Sequence, residues 1–142
     1  MENLLEYILE GEFEIAKAIC IGIPNEELEK KLDKFAFDSE DVSVYFFVVY
    51  LISENDNGIL HYIAFELLAS AYSFISGAYY LAYNHLRRAC ILEPNNYQYK
   101  ESMLLFYDVP EKIVSKEQAK KIAKEVLEKM PDSQVARNVL KE

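Results

Sequence analysis

The chain has 142 residues, enough for one domain that buries roughly 70% of its unfolded surface. Apolar residues make up 51% and charged ones 27%, with 4 glycines and 4 prolines, which excludes a collagen-like or disordered chain and disfavours a turn-rich all-β fold. The net charge of −9 is concentrated in residues 1–56, which hold 14 of the 24 acids but 4 of the 15 bases, and such a field opposes direct nucleic-acid binding and favours a basic partner.

The opening stretch "MENLLEYILEG" spaces Leu4, Leu5, Ile8 and Leu9 as one face of a helix that stops at Gly11. It lacks the basic start and small-residue cleavage site of a secretory signal, so a cytoplasmic protein is expected. A second short helix covers Phe13–Ile21 and closes at Gly22 and Pro24. A third follows in "PNEELEKKLDKFAF", with Leu28, Leu32, Phe35 and Phe37 on its apolar side and Glu26–Lys30 and Glu27–Lys31 as favourable pairs.

"DSEDVSVYFFVVYLISEN" has β-branched and aromatic residues that suit a strand, but its length and acidic start predict a central helix, buried nearly all round. Its run Val44–Ile52 is the longest apolar one, far short of the roughly 20 residues of a membrane span, so no membrane association is expected. After "ENDNG" a helix is predicted over Ile59–Ile75. Ser76 and Gly77 turn the chain into an antiparallel helix over Ala78–Leu92, which ends at "EPNN". A helix over Tyr97–Tyr107, a break at "DVPEK", a helix opened by the capping-box sequence "SKEQ", a break at Pro131 and a helix over about Ser133–Lys141 complete the chain.

Two segments repeat at a fixed offset. "AYNHLRRACILEP" and "AKKIAKEVLEKMP" align Ala82 with Ala119, Leu86 with Ala123, Ala89 with Val126, Cys90 with Leu127 and Pro94 with Pro131. The spacing of Ala82, Ala89 and Pro94 resembles the tetratricopeptide helical repeat over Ile63–Pro131, although Ser70 and Ser73 depart from that pattern. The expected fold is therefore all-α: one helical domain over residues 1–142, with an acidic front at 1–56 and stacked antiparallel helix pairs at 59–142. The resemblance implies a tetratricopeptide-like superhelical array, of about eight or nine helices in all. One such pair cannot bury its apolar side alone, and stacked pairs leave a concave face for partners.

No zinc-protease signature, paired-cysteine metal spacing, phosphate loop or nucleophile elbow occurs. Cys20 and Cys90 lie in apolar helical patterns and read as reduced core thiols. His61 and His85 read as structural histidines bonded to a carboxylate or carbonyl, with an anion site of His85, Arg87 and Arg88 as the sharper alternative. Arg87 and Arg88 are adjacent and point to different sides of a helix. A non-enzyme without cofactor is expected.

The run "HYIAFELLASAYSFISGAYYLAYNHLRRACILEPNNYQYKESMLLFYDVPE" resembles bacterial immunity proteins, the small cytosolic partners that neutralise polymorphic or contact-dependent growth-inhibition toxins. The resemblance implies stoichiometric binding of a cognate toxin domain. Many such toxins are nucleases with a basic cleft, toward which an acidic protein is steered. The expected contact residues are Asp38, Glu40, Asp41, Glu54 and Asp56, with Tyr45, Tyr79, Tyr80 and Tyr83 as aromatic anchors. The alternatives are a helical-repeat adaptor that captures a peptide and a small enzyme that uses His61 or His85.

Overall fold

The computed structural model describes residues 3–142. Every helix expected from the sequence is present, and the described residues contain no strand. α1 (Leu4–Leu9) and α2 (Phe13–Cys20) form a short hairpin; Gly11 permits it by adopting a φ of 76°. α3 (Asn25–Ser39) ends at Glu40, which takes a left-handed conformation and donates its amide to the Ala36 carbonyl. α4 (Ser43–Glu54), α5 (Gly58–Ala69) and α6 (Ala78–Leu92) follow. The expected Tyr97–Tyr107 helix is two pieces, α7 (Tyr97–Ser102) and the single turn α8 (Leu105–Asp108). α9 (Lys116–Lys129) opens with the predicted reciprocal capping box between Ser115 and Gln118, and α10 (Gln134–Lys141) is capped by Ser133.

The helix buried nearly all round is α5 rather than α4. In α5, eight of the twelve residues are buried, including His61, whereas α4 buries the stripe Val44, Phe47, Val48 and Leu51 and leaves Phe46 53% exposed. α4 thus serves as an amphipathic layer over α5 despite its apolar composition. The strongest packing is between α5 and α6, and α3 and α4 cover other sides of α5. α5 and α6 run antiparallel, since the start of α5 at Gly58 lies against Glu93 just past the end of α6, where a Cβ would collide with the Glu93 carboxylate.

The repeat register is preserved in the packing. Ala82, Leu86 and Ala89 of α6 and their counterparts Ala119, Ala123 and Val126 of α9 are all buried, Cys90 and Leu127 are both half-buried, and Pro94 and Pro131 are both exposed. Equivalent positions therefore face equivalent neighbours, and small side chains lie where helices approach. α9 packs on α7 and α10, and α1 and α2 close the other end against α4. The buried side chains form one continuous cluster from Leu4 to Val139, with each large one contributing roughly 1.5–3 kcal/mol. Both cysteines are unpaired and half-buried, and burial pushes the Cys20 thiol up to about 11, which makes it a poor nucleophile.

The predicted helix over Ile59–Ile75 stops early, at Ala69. Ser70 turns its hydroxyl back onto the Glu66 carbonyl at 2.6 Å and Ser73 onto the Ser70 carbonyl at 2.9 Å, so side chains occupy acceptors that continued helix would need. Tyr72 is buried in the resulting link and donates its hydroxyl to the Asp41 carbonyl at 2.5 Å. The 70–77 link is thereby joined to the link between α3 and α4.

Candidate functional site

The expected contact residues separate into groups. Asp38, Glu40 and Asp41 cluster at the α3–α4 link, all exposed. Asp38 is paired with Lys34 at 2.9 Å, and Asp41 accepts the Ser43 amide at 2.8 Å; the Ser43 hydroxyl first, and then that amide, hold its carboxyl below the usual range. Glu54 is the last residue of α4 and Asp56 lies just past it, about 18 Å along the helix. Glu54 pairs with Lys17 at 3.2 Å. Tyr80 on α6 is 52% exposed, whereas Tyr79 is half-buried and Tyr83 packs edge-to-face with Phe106, with the Arg87 guanidinium 5.7 Å from its ring centroid.

Tyr45 and Asp56 meet the two histidines. Tyr45 Oη lies 2.9 Å from His85 Nε2, His85 Nδ1 lies 3.0 Å from His61 Nδ1, and His61 Nε2 lies 2.6 Å from Asp56 Oδ1. Arg88 Nη2 completes the chain at 2.7 Å from Asp56 Oδ2. With both rings neutral, the donors fall in one order: Tyr45 to His85, His85 to His61, His61 to Asp56. Burial, with His61 beside it, lowers the His85 imidazole to about 4, which fits an acceptor nitrogen facing the Tyr45 hydroxyl. Asp56 is held low by its bonds to Arg88 and His61. The chain ties α4, the α4–α5 link, α5 and α6 together with every member partnered. Arg87 turns away to Tyr83, as expected of adjacent arginines.

A concavity lies elsewhere, a groove of about 800 Å³ between α3, α5, α7 and α8, with Val135 of α10 at its edge. Among the described residues five carboxylates line it, from Glu29, Asp33, Glu66, Glu101 and Asp108, against a single base, Lys30. The Lys30 ammonium is turned to Glu26 at 3.7 Å. Among the described residues none of the five carboxylates is in an ion pair, and Glu66 Oε1 is the one buried side-chain polar atom without a hydrogen-bond donor. Burial is the largest influence on the Glu66 carboxyl, followed by a hydrogen bond to Glu29 and the charges of Glu29 and Asp33; together they push it up to about 9. Burial and the neighbouring Glu29 also raise Asp33. Tyr62, stacked on Tyr99 with ring centroids 4.7 Å apart, and Phe65 provide apolar wall.

At the α3 end the groove adjoins a hollow formed by Ala36, Phe37, Glu40, Ala71 and Phe74. Phe37 belongs to both, and with 54% of Phe37 and 71% of Phe74 exposed, the two rings form an apolar ledge. Val42 and Ile75 stand exposed on the same two links. Groove and ledge thus adjoin the acidic set Asp38, Glu40 and Asp41. Sequence reading missed Phe37 and Phe74 as surface groups because each falls in an apolar pattern. It missed Glu66 too, although a lone carboxylate within "ILHYIAFELLASA" was the available signal.

Among the described residues no group of three histidines, cysteines or acids is disposed to hold a metal ion, and no helix is long and apolar enough to cross a membrane. Comparison with protein-family models, curated proteins and solved structures finds no match for this chain.

Proposed function

We propose that the chain is an immunity-type inhibitor, which acts in the cytoplasm by binding a basic toxin domain in a one-to-one complex and performs no chemistry of its own. The observation that carries this reading is the junction of the exposed Phe37–Phe74 ledge with a carboxylate-lined groove, on a chain of net charge −9. Exposed rings anchor a partner and slow its release, while surrounding charge speeds encounter and rejects acidic competitors. A nuclease is the favoured target class, because its substrate cleft must be basic.

The expected contacts Asp38, Glu40 and Asp41 adjoin this surface. Glu54, Asp56 and Tyr45 belong to a separate region, where Asp56 and Tyr45 are committed to the histidine chain. The test is co-expression with the toxin domain encoded beside this gene, followed by affinity capture and growth rescue. Capture with protection is expected; neither capture nor protection removes the reading.

A helical-repeat adaptor that takes a peptide is the second reading, favoured by the groove's volume of about 800 Å³. It differs in binding a short basic peptide as tightly as a folded domain. Catalysis by the histidines is removed if His85→Phe, assayed as folded protein, retains full protection.

A further inference from the structure

We propose that the groove between α3, α5 and α7 is a receptor for an arginine side chain of the partner protein, its guanidinium held by Glu66, Glu29 and Asp33 and its aliphatic stem laid along Tyr62 and Phe65. This deepens the inhibitor reading and rests on it for the identity of the partner.

Three independent features point to that occupant. The groove is a real concavity of about 800 Å³, with aromatic wall as well as acids. Its deepest carboxylate is incomplete, because Glu66 Oε1 is buried with no N–H or O–H directed at it. Among the described residues the groove's only base, Lys30, is paired outward with Glu26, and no other internal cation answers the five carboxylates. A buried acceptor left in that condition costs free energy that a donor from outside recovers.

The chemistry selects arginine among cations. Among the described residues no three acids converge as a metal ion requires. Carboxylates spread along a groove suit a planar group with five donors, and guanidinium is weakly hydrated and stacks on aromatic rings where ammonium is held back by its water. Tyr62, one face of which is stacked on Tyr99, and the edge of the buried Phe65 line the groove beside the acids.

Entry of the cation has a proton consequence. Without the cation, burial and then the adjoining Glu29 and Asp33 push the Glu66 carboxyl up to about 9, which favours its protonated form at neutral pH. A guanidinium brings its own donors and positive charge, so Glu66 ionises and its proton passes to solvent. The groups that face Glu66 are Glu29, Lys30 and Asp33 from α3, Tyr62 from α5, Glu101 from α7 and Asp108 from α8. All but Lys30 and the neutral Tyr62 are acids, so ionising Glu66 without the cation is opposed. Binding should tighten as the pH rises from 6 toward 9.

The test uses the full chain, isotope-labelled and titrated with acetyl-arginine amide, while amide shifts are followed by NMR. Saturable shifts at Asp33, Tyr62, Glu66 and Ser70 are expected, with none from acetyl-citrulline amide, which has nearly the same shape without the charge. Affinity should rise with pH in the native protein. Glu66→Gln should lower it about fivefold and flatten its pH dependence; Glu29→Gln serves the same purpose if Glu66→Gln fails to fold. Equal shifts with citrulline, shifts away from the groove, or an unchanged affinity in both variants overturn the assignment. If the toxin domain is captured equally by native protein and Glu66→Gln while arginine amide gives no shifts, the groove assignment fails and the inhibitor reading stands. Arginine binding in the groove without capture or protection gives the reverse.

Discussion

α5 treats its two ionisable residues in opposite ways. His61 and Glu66 project about 140° apart around the same helix. On the His61 side, Tyr45, His85, Asp56 and Arg88 close a chain in which every member has a partner. On the Glu66 side, five acids face a groove without an ion pair among the described residues. A saturated polar network holds helices in register and presents little to bind, whereas an unsaturated one beside exposed rings has interaction energy left to give. The busiest polar cluster of this protein is therefore its strut, and the quieter one is its candidate recognition surface.

The strut should break hardest. His85→Ala leaves the Tyr45 hydroxyl and a His61 ring nitrogen without partners and opens a cavity among three helices. A loss of about 3 kcal/mol is expected, read as a Tm lower by roughly 10 °C in thermal denaturation. An unchanged Tm would mean that the chain carries no load.

Acid should attack the same side. His85 is lowered to about 4 in the fold, against about 6.5 when unfolded, so between those values the unfolded chain binds more protons. Stability should be complete above about pH 6.5 and decline as the pH falls toward 4, by about 2 kcal/mol once partial exposure is allowed for. His85→Phe should flatten that slope in urea unfolding at a series of pH values.

The groove side has the opposite sign. Glu66 is raised to about 9, so the fold retains a proton that the unfolded chain releases, and stability should fall as the pH rises from about 4.5 toward 9. Glu66→Gln should abolish that decline and raise Tm at pH 8 by about 2 °C. A lower Tm would show that the charged form of Glu66 supports the fold, and the contrast between the two sides would collapse.

The smallest effect on stability is expected at the ledge. Phe37→Ser with Phe74→Ser removes rings that are 54% and 71% exposed and should change unfolding free energy by less than about 0.5 kcal/mol each. Capture of the toxin domain should nevertheless be lost. Retained capture would move the interface elsewhere on the surface.

The helices, most of their stops and the repeat were legible in the sequence because Gly11, Gly77, Pro94, Pro131 and the Ser115–Gln118 box act locally. The identity of the central helix was not. Its apolar run is interrupted by His61 and Glu66, and nothing within that run tells that each has a place to go inside the fold. The early end of α5 was hidden because "SAYSFIS" keeps an apolar pattern while its serine hydroxyls occupy the carbonyls that continue a helix. His61 and His85 were visible singly, but their contact spans 24 positions and depends on how α5 and α6 are set side by side. The groove draws on α3, α5, α7, α8 and α10, so no window of sequence contains it.

The Tyr72 hydroxyl on the Asp41 carbonyl has an evolutionary consequence. It fastens one connecting segment to another through a main-chain oxygen, which every residue at position 41 provides. Phe37, Val42, Phe74 and Ile75 stand around that fastening with much of their surface in water. Their identities can be exchanged one at a time while the fastening and the core keep their places. Under the proposed inhibitor reading, the preferred target would change by drift at this rim, and two descendants of one ancestor would come to bind different targets without refolding.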